Sequence, residues 1–274
     1  MLLERSLPGD FDPAVVAEID TRLAAVERDE RVCVPIAIES GSRAWGFPSP
    51  DSDYDCRFVF VRRRDDYASL WTPRDVIETP LDTIFDVNGW DLGKLIKLIV
   101  KGNAVAIEWL QSPIRYRFRT DVANRLLALA RSVTDPAAVR RHYWSLAKTQ
   151  WSRVFQDDGS ASLKKLFYVL RPIAAMAWLD RHPGEPAAPM VFQLLIEAID
   201  IPDDCRSEIA ELLARKLVTN ELGTSILPPA IGRYIEAGLV EEPSSETPGP
   251  ISLEERGKLA DRLFLDLVDE LAPE

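Results

Sequence analysis

Three carboxylates, Asp51, Asp53 and Asp55, fall within five residues, shortly after a Gly41-Ser42 pair and directly ahead of the apolar run Cys56–Val61. Like charges this close repel one another unless solvent or a cation relieves them. On an extended chain Asp53 and Asp55 share a face with their Cα atoms roughly 6.5–7 Å apart, so both can ligate metal. Two divalent ions roughly 3.5–4 Å apart between such carboxylates suit phosphoryl or nucleotidyl transfer, one activating a hydroxyl and the other steadying the leaving pyrophosphate. The competing reading is a solvated Ser-Pro-Asp-Ser-Asp turn. Asp51 lies across the turn from this pair and reads as a capping or solvated residue.

Motifs that the stretch nearly matches fail on specific residues. Gly41 and Gly46 have the glycine separation of a P-loop, but Phe47 and Pro48 stand where its Lys and Ser/Thr belong. Asp51, Asp53 and Asp55 imitate the start of a calcium loop, yet Cys56 replaces the turn glycine and Arg62 the closing Glu. Ser42 has no G-x-S-x-G context. His142 and His182 are the chain's two histidines, too few for a His-rich zinc site.

What remains, a strand, a Gly-Ser turn, a spacer and Asp-x-Asp entering a second strand, resembles the signature of the DNA polymerase β nucleotidyltransferase superfamily. "GSRAWGFPSPDSDYDCRFVFV", "DVNGWDLGKLIKLIVKGNAVAIEWLQSPIRY" and "LKKLFYVLRPIAAMAWL" resemble, more narrowly, the predicted nucleotidyltransferases associated with RNA-repair ligases. The resemblance implies that Gly41 and Ser42 hold the β- and γ-phosphates of a nucleoside triphosphate through close backbone donors. It implies two Mg2+ ions, with Mn2+ an alternative, on Asp53 and Asp55, and a third catalytic carboxylate on a neighbouring strand. Asp86 fits that third position because "LDTIFDV" alternates it onto one face with Asp82 and Ile84; Asp82 and Asp91 compete, Asp91 also suiting a helix start. Arg43 either steers phosphates or is a surface charge, and Trp45 and Phe47 either wall the pocket or pack in the core.

The elements that must position these groups follow from periodicity. Val15, Ile19, Leu23 and Val26 mark an opening helix, and "RVCVPIAIE" and "CRFVFVR" read as strands. A third strand starts at Leu81, after Pro80, and "DLGKLIKLIVKGN" is a helix capped by Asp91 and Gly102, with "AVAIEWL" the next. Beyond residue 118 amphipathic helices follow one another, so the expected fold class is α+β: a small mixed-sheet nucleotidyltransferase domain over 1–118, then a helical domain over 119–274 that completes the nucleotide cleft. In "KKLFYVLRP", Lys164, Tyr168 and Arg171 share one helix face, which reads either as solvated surface or, with Lys165, as the cleft's phosphate-binding side. Tyr168 either stacks on a base or packs, and Glu108 has no assigned function.

At 274 residues with 46% hydrophobic and 28% charged composition, the chain reads as a globular protein with a sizeable core. No run approaches the roughly 18 apolar residues of a membrane span, and the N-terminus lacks signal-peptide character, which predicts a cytoplasmic location and no membrane partner. Cys33, Cys56 and Cys205 are too scattered for a disulfide framework. The net charge of −11 argues against a broad duplex-binding face but leaves an RNA end, a protein or a small molecule open as the hydroxyl acceptor. A catalytically inactive nucleotide-binding or antitoxin-like interaction protein is the alternative class, and an RNA ligase or a toxin is the partner to expect on either reading.

Overall fold

The computed structural model describes residues 3–80, 84–220, 222–244 and 251–274. Strand β1 (Glu4–Ser6) and helix α1 (Pro13–Glu30) open the chain; β2 (Cys33–Glu39) runs into the single-turn α2 (Gly41–Ala44), and β3 (Tyr54–Val61) into α3 (Arg64–Tyr67). Then come β4 (Val76–Glu78), β5 (Phe85–Asp91), α4 (Leu92–Val100), α5 (Ala104–Trp109) and β6 (Arg115–Phe118). Helices α6 (Thr120–Val133), α7 (Pro136–Trp151), α8 (Leu163–Arg181), α9 (Phe192–Ala198), α10 (Asp203–Val218), α11 (Pro229–Leu239) and α12 (Leu253–Leu271) follow, with the two-residue strands β7 (Ala161–Ser162) and β8 (Thr224–Ser225) between them. The fold is thus the expected mixed sheet followed by helices.

The sequence cues act locally as their chemistry requires. Asp12 caps α1 by accepting from the Ala14 amide, Pro13 fills the first turn, and Val15, Ile19, Leu23 and Val26 are buried. Asp91 caps α4 by accepting from the Gly93 amide at 2.7 Å, and Leu92, Leu95, Ile96 and Ile99 form its buried face. Gly102, at φ +74°, turns the chain out of that helix. The third strand expected from Leu81 begins, among described residues, at Phe85; residues 81–83, with the competing Asp82, lie outside them. Strands β1, β4 and β6, and the two-residue β7 and β8 in the helical half, are additions to the expected set, each four residues or fewer.

The six strands are ordered β1-β6-β2-β3-β5-β4. Pairing is antiparallel except between β3 and β5, which run parallel with Asp55 beside Asp86. One face packs Phe58, Phe60 and Val87 against Val15, Ile19 and Leu23 of α1. The other packs Ile36, Ile38, Val59 and Val61 against α4, α6 and α12, so the sheet's core draws on helices from both sides of residue 118. A third core gathers α7 to α11 around Leu166, Phe167 and Leu170, and Phe47 reaches into it from the loop after α2. Phe47 therefore packs in the core, and its burial pins the glycine turn to the helical half. Among the described residues no helix is long and apolar enough to cross a membrane.

Candidate functional site

Strand β2 ends at Glu39, after which the chain turns at Gly41 with φ +60°, a conformation that disfavours any side chain. The turn is also crowded: a Cβ at Gly41 would lie 2.0 Å from an Asp55 Oδ atom, so the carboxylate of Asp55 rests directly on the glycine backbone. Ser42 is buried, its Oγ donating to Ser52 Oγ at 3.0 Å, and the Ser49 amide also donates to that Ser52 oxygen. Arg43 holds the same loop by donating to the carbonyls of Ser52 (2.6 Å) and Asp53 (3.1 Å), with its guanidinium 3.9 Å from the centre of the Tyr54 ring. Ser42 and Arg43 thus fix the segment that bears the aspartates.

Parallel register sets Asp55 directly beside Asp86 on the neighbouring strand. Between them stands Arg57, whose Nη2 donates to Asp86 Oδ2 at 2.6 Å and to Asp55 Oδ1 at 3.1 Å, while its Nη1 donates to the Asp86 carbonyl at 2.8 Å. The Asn88 amide also donates to Asp86. The Asp53 carboxylate has no hydrogen-bond or ion-pair partner among the described residues; only the residue's carbonyl is engaged, by Arg43. Burial pushes the Asp55 carboxyl up; Arg57 and then Arg43 oppose this, and the neighbouring Asp86 and Asp53 add to it. Negative charge therefore exceeds what the one bridging guanidinium neutralises. Arg57 escaped the sequence reading although the same alternation that pairs Asp53 with Asp55 puts it next on that face.

Behind the aspartates, Glu39 is fully buried. Its Oε1 accepts from the Asp55 amide at 2.9 Å and its Oε2 from the Tyr116 hydroxyl at 2.5 Å. Burial pushes its carboxyl up to about 8, against those two hydrogen bonds. This residue, also missed in the sequence, ties β2, β3 and β6 together at the point where β3 presents Asp55.

Across the opening lies α8. The Tyr168 phenol is pushed up by burial and then by the charges of Asp55 and Asp53, and its ring meets Trp45 edge-on at 5.4 Å. Lys164 is exposed, while Lys165 turns aside to donate to the Arg153 carbonyl at 2.8 Å. Arg171 departs from the expected phosphate contact because its guanidinium is committed inside the protein. Its Nη2 donates to Glu108 Oε1 at 2.9 Å and its Nε to the Met190 carbonyl at 3.0 Å, and the same Glu108 oxygen accepts from Tyr143 at 2.5 Å. Arg171 also lies under the Trp45 ring, 4.9 Å from its centre. Glu108 is thereby the anchor of a clasp joining α5, α7 and α8.

A buried cation that the sequence reading missed lies in the helical half. Lys216 of α10 is 2% exposed, has no hydrogen-bond partner among the described residues, and places its ammonium 5.6 Å from the centre of the Phe47 ring. Burial lowers its pKa, Lys164 lowers it further and Asp51 opposes both. Nothing local in α10 marks this lysine out.

Among the described residues no three His, Cys, Asp or Glu side chains are grouped as a ready-made metal cage. The donor chemistry nevertheless fits a hard divalent cation that arrives with its substrate, since Mg2+ commonly takes one or two carboxylates and completes its shell with phosphate oxygens and water. Asp53 and Asp55 supply such a pair.

The chain matches the RNA repair pathway DNA polymerase beta family (RlaP) over residues 15–266. It is 36% identical over 251 residues to the uncharacterized protein YcgL of Bacillus subtilis (strain 168), covering 91% of this chain and 95% of that protein. A structural comparison pairs it with a nucleotidyltransferase-like protein from Exiguobacterium sibiricum 255-15 at a TM-score of 0.27 and 17% identity, covering 93% of this chain and 75% of the other. With the match running through nearly the whole chain, the protein belongs to the RNA repair pathway DNA polymerase beta family.

Proposed function

We propose that the protein is a metal-dependent nucleotidyltransferase that moves a nucleoside monophosphate from a nucleoside triphosphate to a hydroxyl acceptor and releases pyrophosphate. The observation that carries this reading is the seating of Asp55 on the Gly41 backbone and beside Asp86, with Asp53 adjacent and unpaired. Family membership supports nucleotidyl transfer as the reaction class.

In this account Asp53 and Asp55 hold Mg2+ and Asp86 is the third carboxylate. Magnesium held by Asp53 and Asp55 would supply charge neutralisation at the phosphates and a lowered pKa for the attacking hydroxyl. Asp86, released from Arg57 as substrate enters, takes up the acceptor's proton. The Gly41-Ser42 backbone lies against the β- and γ-phosphates, where the missing side chain permits close approach. Lys164 and Lys216 supply positive charge from the helical half, and Tyr168 and Trp45 offer aromatic surface to the base. Arg171 acts indirectly, by supporting Trp45. An RNA end, a protein hydroxyl and a small molecule all meet the requirement for an acceptor.

One observation favours a second reading, binding without turnover: the Arg57 guanidinium occupies the space between two carboxylates that catalysis needs free. Both readings are separated by incubating the protein with each α-labelled nucleoside triphosphate, Mg2+, and pools of RNA, cell extract or the protein itself. Transfer of label by the parent and not by Asp53→Ala/Asp55→Ala supports the enzyme, and the labelled pool gives the acceptor class. Triphosphate binding without transfer in every pool supports the binding protein.

A further inference from the structure

A cavity of about 610 Å³ opens far from the aspartates, between the chain from Arg62 to Asp75, α4 and α12. Asp91, which lines it, lies five residues along β5 from Asp86, roughly 17 Å away. The walls are largely apolar. Tyr67 and Phe264 meet edge-on at 5.0 Å, and Ile96, Val100 and Ala260 continue the surface. A volume of this size lies within the ordinary range for small-molecule sites.

The charges around the cavity are unevenly spent. Asp91 accepts from the Tyr67 hydroxyl (2.9 Å) and the Gly93 amide (2.7 Å), Asp75 binds Lys94 at 3.1 Å, and Asp66 binds Arg63. Arg74 is paired with Glu78, and Arg62 donates to the Arg74 carbonyl. Among the described residues this leaves Lys97, Lys101 and Asp261 without partners, a positive surplus, with Lys97 in the last turn of α4 and Lys101 four residues on at its C-cap. Beside the lining residues Thr72 and Pro73, Leu70 and Trp71 are 87% and 83% exposed, and Leu253 also stands in solvent. Large apolar side chains held in water beside an apolar cavity mark a contact surface.

We propose that this cavity is a second ligand site, separate from the aspartate cluster, for a small amphipathic anion. Its aromatic or aliphatic body lies against Tyr67, Phe264 and Val100, and its carboxylate, phosphate or sulfonate meets Lys97 and Lys101. Nothing in this assignment depends on nucleotidyl transfer.

The test uses 1-anilinonaphthalene-8-sulfonate and its uncharged analogue N-phenyl-1-naphthylamine as probes, titrated into the parent chain and two variants and read by fluorescence. Gly257 lines the cavity, and a Cβ there meets nothing within 4 Å, so Gly257→Trp fills the space without a backbone clash. Lys97→Glu/Lys101→Glu alters exposed positions only. Thermal unfolding of each variant confirms that it is folded. The expected result is saturable binding of one sulfonate per parent chain, loss of both probes in Gly257→Trp, and sulfonate affinity about tenfold weaker in the lysine variant with the neutral probe nearly unaffected. The assignment is overturned if the parent shows no saturable binding, if Gly257→Trp binds as the parent does, or if the lysine variant weakens both probes alike or neither.

Discussion

Two groups of charged side chains in this protein use the same residue types to opposite ends. Around Glu108 one carboxylate meets one guanidinium, both side chains are 5% exposed or less, and a tyrosine hydroxyl and a backbone carbonyl complete their bonding. Around Asp55 two carboxylates, Asp55 and Asp86, share the bridging guanidinium of Arg57 and remain 29% and 31% exposed, while the carboxylate of the third, Asp53, is unpaired among the described residues. A balanced, dry cluster fixes structure; the unbalanced one is where the proposed cation sits. The contrast predicts that removing charge damages folding at the first and chemistry at the second.

The widest separation should come from Asp53→Ala/Asp55→Ala, which lowers nucleotidyl transfer by about a thousandfold or more, while thermal unfolding shows no loss of stability because repulsion has been relieved. Arg171→Ala should do the reverse. Leaving Glu108 buried and unpaired costs about 3–5 kcal/mol in denaturant unfolding, and Glu108→Gln/Arg171→Met should cost less than that single change. Gly41→Ala sharpens the active-site half of the comparison: its Cβ displaces Asp55 and meets an unfavourable φ, so activity falls by about a hundredfold in a chain that still unfolds cooperatively. The last effect, on stability alone, belongs to Glu39. Folded, it keeps its proton up to about pH 8 against an ordinary 4.5, so folding takes up a proton between these values. Stability therefore falls as pH rises through that window, by at most about 1.4 kcal/mol per unit, and levels off above it. Glu39→Gln should flatten that part of the melting-temperature profile.

Much of the aspartate site was legible because it is local. Gly41, Asp53 and Asp55 lie close in sequence, and strand alternation alone puts the two aspartates on one face. Asp86 followed from the same alternation, but its place beside Asp55 depends on parallel pairing between strands that are distant in sequence, which no local pattern encodes. Arg57 was readable by the same rule carried one step further. Arg171 was misplaced because helix spacing says which residues share a face and not what that face meets; here the face runs from exposed Lys164 to a buried ion pair with Glu108. Lys216 and the pairing of Glu39 with Tyr116 arise wholly from tertiary packing. The helices were readable from their apolar stripes and caps, while β1, β4 and β6 were too short to show a period.

The central claim, that the carboxylate surplus around Asp55 seats a divalent cation together with a nucleotide, is tested most directly by electron paramagnetic resonance titration of Mn2+ with and without a nonhydrolysable nucleoside triphosphate. The parent is predicted to take up Mn2+ in a nucleotide-dependent manner, Asp53→Asn/Asp55→Asn to lose that uptake, and Arg171→Lys to keep it while folded. Equal Mn2+ uptake by the parent and the aspartate variant, or none by the parent with any triphosphate, would contradict the account.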